Sequence, residues 1–268
     1  MWTPALGRKD EKMKKTLIVL ICIFICSFTF AGGFEDSKKF DVNSVSNFDI
    51  SLLKENLIIS TFNGNAIYVI SETTDESMFP IVELKNNTLI IRKANNPHEE
   101  RYMCHISLML PENYIADKVS IETISGELRI KQLRANYVKL LPGPKNSLDN
   151  IKADYFEIPI PDQADMNISN LDSKEINISL IAGTVNLSML HIPTINSKIS
   201  SKNGKLNIAF PANEAFTINA KSFNSKFINN LNNSVIDWIR EGNIYKQNGG
   251  GVEIVLQTHT GDIEVRKQ

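Results

Sequence analysis

Between Val119 and Phe210 the chain returns to one apolar pattern about every 20 residues, and few folds tolerate that. Take Gly126 as an anchor. Apolar residues follow two, four and seven positions later, at Leu128, Ile130 and Leu133. Gly183 repeats the pattern with Val185, Leu187 and Leu190, and Ala164 with Met166, Ile168 and Leu171. Pro144 repeats it imperfectly, because Leu148 and Ile151 fit but Asn146 does not. Gly204 gives Leu206 and Ile208, then Pro211. The anchors 126, 144, 164, 183 and 204 lie 18, 20, 19 and 21 residues apart. A unit this short cannot bury its apolar face alone and must stack on the next, which defines a solenoid.

The units are strands. Ile176, Ile178 and Leu180 are two apart, as are Val185 and Leu187, and Ile254 and Leu256. Period two sends one row of side chains inward and the other outward. The outward row carries polar residues such as Asn177, Ser179, Asn186 and Asn207. A leucine-rich repeat has a similar period but needs a helical half. Here both halves read as strand, Glu175–Leu180 and then Thr184–Leu190. Two strands per turn suit a β-helix or β-roll. The expected fold is therefore all-β, a single β-solenoid, with a β-sandwich of regular hairpins as the alternative.

The N-terminus reads as an address. Lys14-Lys15 precede an apolar run from Leu17 to Phe30, and Thr29-Phe30-Ala31 offers small residues for cleavage before Gly32. Residues 1–31 are thus expected to be a secretory signal peptide, with 1–12 a possible start-site extension before Met13. The run is short for a membrane span. Residues 1–31 hold five of the 29 basic and two of the 30 acidic residues, leaving 24 against 28, a net charge of −4. Taken over the whole domain, that balance favours solubility and disfavours binding to an anionic membrane, and no stable membrane insertion is expected after cleavage. The full chain's near-neutral net charge of −1 argues against a nucleic-acid partner, which needs clustered Lys and Arg. Cys22 and Cys26 leave with the signal, so Cys104 has no intramolecular disulfide partner. The expected domain is 32–268, with 34–115 as its N-terminal part and 118–268 as its repeats.

Along that domain, Phe34–Asn47 reads as an entry strand. Leu57–Phe62 and Ala66–Ile70 flank Asn63-Gly64, a hairpin or turn signal. Ile81–Leu84 and Leu89–Arg92 flank Asn86-Asn87. Tyr102, Cys104, Ile106, Leu108 and Leu110 share one strand face that ends at Pro111. Beyond Pro211 the register loosens, and Val235–Arg240 reads as a helical turn or irregular loop around Trp238. The last strands, Val252–Leu256 and Asp262–Val265, are expected to close the final coil, with Arg266 and Lys267 guarding an exposed edge.

Two blocks now carry a resemblance. Cys104-His-Ile-Ser-Leu-Met-Leu-Pro111 followed by Lys118-Val-Ser-Ile-Glu-Thr-Ile-Ser-Gly-Glu-Leu-Arg-Ile130 resembles the bacterial putative-adhesin family of β-solenoid domains. Gly249-Gly-Gly251 and Thr258-His-Thr-Gly-Asp-Ile263 look like that family's ending. The resemblance spans about Phe40 to Lys267, and departs from the pattern at Pro142-Gly-Pro144 and Asp162-Gln-Ala164. It implies an exported bacterial β-solenoid, adhesin by label, with no shared catalytic residue or ligand to carry over.

The chemistry-bearing residues are sparse. His98-Glu99-Glu100 with His105 lacks a known ligand spacing, and His105 should point outward. His191 and His259 are isolated. Cys104 sits on an apolar strand face and reads as a buried thiol. Asp149, Asp154, Asp162, Asp165 and Asp172 cluster in sequence as a carbohydrate-active β-helix enzyme would require, yet each lies near a turn, where Asp is common. Asn167, Asn177, Asn186 and Asn207 read as stacks between coils. No catalytic, cofactor or metal residue is assigned. The expected role is an exported, non-enzymatic, adhesin-like or cell-envelope scaffold, in the periplasm or at the surface, meeting an envelope protein or surface glycan. A periplasmic accessory of a stress or signalling system and a carbohydrate-active enzyme are the alternatives. A binding face would show itself by exposed aromatics, with Tyr137, Tyr155 and Trp238 as candidates.

Overall fold

The computed structural model describes residues 33–93, 103–159, 163–232, 234–237 and 242–268. Residues 1–31, expected to be a signal peptide, and His98-Glu99-Glu100, Tyr102, Asp162 and Trp238 lie outside them. Phe34–Gln268 forms a compact unit.

Among the described residues, twenty-two strands build it. The N-terminal part holds β1 (Phe34–Asp41), β2 (Asn47–Leu52), β3 (Asn56–Phe62), β4 (Ala66–Thr73), β5 (Ile81–Lys85), β6 (Thr88–Arg92) and β7 (Cys104–Pro111). The repeats hold β8 (Ala116–Thr123), β9 (Glu127–Ile130), β10 (Leu133–Leu141), β11 (Lys145–Asp149), β12 (Ile151–Pro159), β13 (Met166–Ala182), β14 (Val185–Met189), β15 (Ser197–Asn203) and β16 (Leu206–Phe210). The C-terminal part holds β17 (Phe216–Ser222), β18 (Lys226–Asn229), β19 (Ser234–Asp237), β20 (Asn243–Gln247), β21 (Glu253–Thr260) and β22 (Ile263–Lys267).

The strands line two faces. Sheet I runs β1-β4-β7-β3-β9-β11-β13-β14-β16-β22-β18-β19. Sheet II runs β5-β6-β2-β8-β10-β12-β13-β15-β21-β17-β20. The long β13 belongs to both, bending at Asn170, where φ is 55°. Pairing between coils is parallel, so the fold is a β-solenoid and not the sandwich of hairpins. Alternation fills the interior: Leu128, Ile130, Leu133, Met166, Leu171, Val185, Leu206 and Ile208 are all buried.

The anchors stack physically. Glu127 pairs with Lys145, Leu148 with Ile168, Met166 with Val185, and Val185 with Leu206, so 126, 144, 164, 183 and 204 form one column. Here the coils pack backbone on backbone. A Cβ on Gly204 would lie 1.8 Å from the Gly183 carbonyl oxygen, and one on Gly183, whose φ is +110°, would lie 2.1 Å from that of Ala164. Only glycine fits such an approach at that φ. The proline-flanked corner holds the same stack, with the Gly143 amide donating to Thr123 Oγ1 at 3.0 Å. Leu190 departs from the pattern and is 46% exposed, its place being taken by the fully buried Met189. The pairing of β13 with β14 shifts register between Ile168 and Leu171, which moves the inward position by one residue.

Both ends depart from a simple coil. The β6–β7 coil lies outside the β2–β3 coil, although it follows it in sequence. Asn63-Gly64 therefore turns the chain without making a hairpin, since β7 sits between β3 and β4. Asn86-Asn87 does close one, both residues having positive φ. At the other end the β21–β22 coil is inserted between β15–β16 and β17–β18. The C-terminal strand is thus no edge, and Arg266 and Lys267 pair along β16. Gly204 and Gly261, 57 residues apart in sequence, lie on adjacent coils, with the Gly204 amide donating to Thr260 O at 2.9 Å. The edges are β1 and β19 in sheet I and β5 and β20 in sheet II. Ser234–Asp237 is strand rather than helix, pairing antiparallel with β18.

Candidate interaction face

Sheet II owes its outer relief to a defect repeated in successive coils. In β8, β10, β12 and β13 a small inward residue (Ala116, Ala135, Ala153, Ser173) is followed by two outward residues instead of one. These pairs are Asp117-Lys118, Asn136-Tyr137, Asp154-Tyr155 and Lys174-Glu175. Bulges aligned this way push two side chains per coil onto the same strip.

The strip carries a ladder. Lys118, Tyr137, Tyr155 and Glu175 are consecutive partners across the sheet. The tyrosine rings stack with centroids 5.3 Å apart and planes 8° from parallel. Lys118 Nζ lies 5.4 Å from the Tyr137 centroid, and the Tyr155 hydroxyl accepts from Asn177 Nδ2 at 3.4 Å. Parallel strands about 4.8 Å apart impose that stacking. Tyr137 thus has Lys118 against its ring as well as Tyr155, and the ladder presents edges and hydroxyls rather than open aromatic faces. Desolvation, then the charge of Glu157 and a hydrogen bond with it, push the Tyr137 hydroxyl up to about 12. Beside the ladder, Lys139 pairs with Glu157 at 3.4 Å.

The aspartates are engaged locally. Asp154 meets Lys174 and Asp172 meets Lys152, each at 2.8 Å. Asp149 accepts from Ser169 Oγ at 2.7 Å and from Asn170 Nδ2 at 2.9 Å. Asp165 Oδ1 accepts from the Thr184 amide at 2.8 Å. Each of these four fastens one coil to the next. Among the described residues no three His, Cys, Asp or Glu side chains converge as a metal cluster.

The asparagines on sheet I do stack. Asn186 Nδ2 donates to Asn167 Oδ1 at 3.0 Å, and Asn207 Nδ2 to Asn186 Oδ1 at 2.8 Å. Asn177 is not part of this, lying on sheet II. Asn146, which breaks the apolar pattern, is buried and bridges two strands: its Nδ2 donates to Asp165 O at 2.9 Å and its Oδ1 accepts from the Asn167 amide at 3.2 Å. Cys104 is a buried thiol, pushed up to about 12 by burial and then by the charge of Glu55. His105 is half-buried, 3.4 Å from Asn56 Nδ2. His191 Nδ1 lies 3.0 Å from Glu214 Oε1.

One residue escapes sequence reasoning. Glu55 is fully buried at the corner where Gly126 sits in the next coil, its Oε2 accepting from the amides of Leu53 at 2.7 Å and Lys54 at 3.0 Å. A lone Glu ahead of a strand looks solvated, and only the folded corner shows that it caps two amides.

The fold has solved counterparts. A putative adhesin from Bacteroides fragilis is similar with a TM-score of 0.51 and 10% identity, over 87% of this chain and 97% of that one. A putative cell adhesion protein from Clostridium sporogenes gives a TM-score of 0.38 and 16% identity, over 88% of this chain and 100% of that one. No curated protein matches the sequence. The family model described as Toastrack DUF4097 matches residues 45–266, which takes in the repeats and both swapped ends, and the chain belongs to that family.

Proposed function

We propose that this is an exported, non-enzymatic β-solenoid, adhesin-like or a cell-envelope scaffold, that offers the outer face of sheet II to a partner. The observation that carries this reading is the ladder of Lys118, Tyr137, Tyr155 and Glu175 on a strip raised by aligned bulges. Tyrosine and lysine side chains held edge-on by their neighbours lose little freedom on contact, which suits recognition. A sugar ring stacks on an open aromatic face, and the Tyr137 ring already lies against Lys118 and Tyr155. An envelope protein meeting hydroxyls and charges is therefore favoured over a surface glycan. The local duties of the aspartates, and the adhesin names of the similar structures, support a binding role over catalysis.

The test is protease treatment of intact cells beside a periplasmic marker. Loss of the protein while the marker survives is the expected result for a surface adhesin. Protection until lysis excludes adhesion and leaves the periplasmic scaffold. A photo-crosslinking residue at Tyr137 then identifies the partner, and Tyr137→Ala with Tyr155→Ala should abolish its capture without lowering the unfolding midpoint substantially.

A further inference from the structure

Ile181, Lys202, His259 and Phe223 occupy one outward row on adjacent strands, at the convex corner where sheet II turns into sheet I. Phe223 is 38% exposed and Ile181 37%, and the Phe223 ring lies 5.0 Å from that of His259. Lys221 projects from the neighbouring outward row, and Lys205 from the turn just past Gly204. Lys202, Lys205 and Lys221 are exposed and make no ion pair among the described residues. Asp262, next to Lys205 across the coils, caps the Lys226 amide through Oδ1 at 3.1 Å. Lys226 is left out of the patch on that account. Three cations beside exposed apolar tips thus stand on a region whose net charge is −4, counted over 33–268.

We propose that this corner docks the protein peripherally on an anionic bilayer surface. Charge complementarity selects an anion, and the corner's shape selects among anions. A soluble polymer or free phosphate is held by a concave site that surrounds it. A convex ridge with Phe and Ile tips and flanking lysines instead fits between headgroups, apolar tips toward the acyl boundary and ammonium groups at the phosphates. Each lysine then contributes about a fivefold gain in partitioning. The inference does not depend on the partner of the sheet II ladder, which shares only β13 with this corner, Glu175 in the ladder and Ile181 at the corner.

Co-sedimentation with vesicles tests it, using residues 33–268, which hold the whole described core and lack the apolar segment that would bind lipid by itself. The probes are vesicles of phosphatidylcholine alone and of phosphatidylcholine mixed with phosphatidylglycerol. Binding to the mixed vesicles only, lost by roughly a hundredfold in Lys202→Glu/Lys205→Glu/Lys221→Glu and weakened in Phe223→Ala, is the expected result. If charge reversal perturbs folding by circular dichroism, the Gln triple variant replaces it. No binding to mixed vesicles overturns the proposal, as does binding that the lysine variants leave unchanged. Competition by soluble polyphosphate with no effect of Phe223→Ala also overturns it, in favour of an anionic polymer.

Discussion

At Gly183 a side chain would need both a positive φ and space that the Ala164 carbonyl already fills. Gly183→Ala is expected to destabilise the fold by at least about 2 kcal/mol, read from the urea midpoint. Asn146→Leu is the opposite experiment, since it restores the apolar repeat. It strips the Asp165 carbonyl and the Asn167 amide of their partner, so a loss of about 2 kcal/mol is expected in place of a gain. Titration gives a third expectation. Burial first, then Glu55, raise Cys104 from 9.0 to about 12, and burial first also raises Tyr114 and Tyr137. Above about pH 9 the unfolded chain loses protons that the folded one keeps, so stability must fall as pH climbs toward 12. Denaturant midpoints measured across that window should decline, less steeply in Cys104→Ala. Thiol reagents should reach Cys104 only on unfolding.

The elements divide into those that periodicity fixes and those that it does not. Anchors 126 to 204 were legible because a stacking column repeats its steric demand in every coil. The inward rows were legible because strand alternation leaves no other arrangement. Leu190 was misplaced because a register shift in the preceding coil changes which residue faces in, and a bulge leaves little trace in hydropathy. Asn63-Gly64 was legible as a turn but not as one without a hairpin, because turn chemistry specifies that the chain reverses and not which strand fills the gap beside it. Trp238, a candidate anchor for binding, lies outside the described residues. The tyrosine ladder was legible only as two aromatics 18 residues apart, and its bulges became visible once the coils were aligned. The asparagine column ties β13, β14 and β16 together on sheet I. Asn186→Ala removes a donor and an acceptor from it at once, and should cost about 1 kcal/mol in a chemical denaturation series.

Across the whole molecule, stability is not distributed as in a solenoid whose coils follow in order. There, removing the terminal repeat exposes one neighbour and the rest survives. Here β21–β22 is held on both sides, by β15–β16 and by β17–β18. A chain ending at Val252 would leave a slot one coil wide, strand edges facing it from either side. Such a truncation should fail to fold cooperatively by circular dichroism melting, whereas trimming Gln268 alone should be silent. The same interleaving has a consequence for how such proteins can vary in length. An ordinary solenoid lengthens by duplication at a tip. In this one both tips are plaited, so a new unit added there would have to re-thread its neighbours. Only the run from β8 to β16, where sequence order and spatial order coincide, can gain or lose a turn as a single cassette, and relatives of different size should differ there.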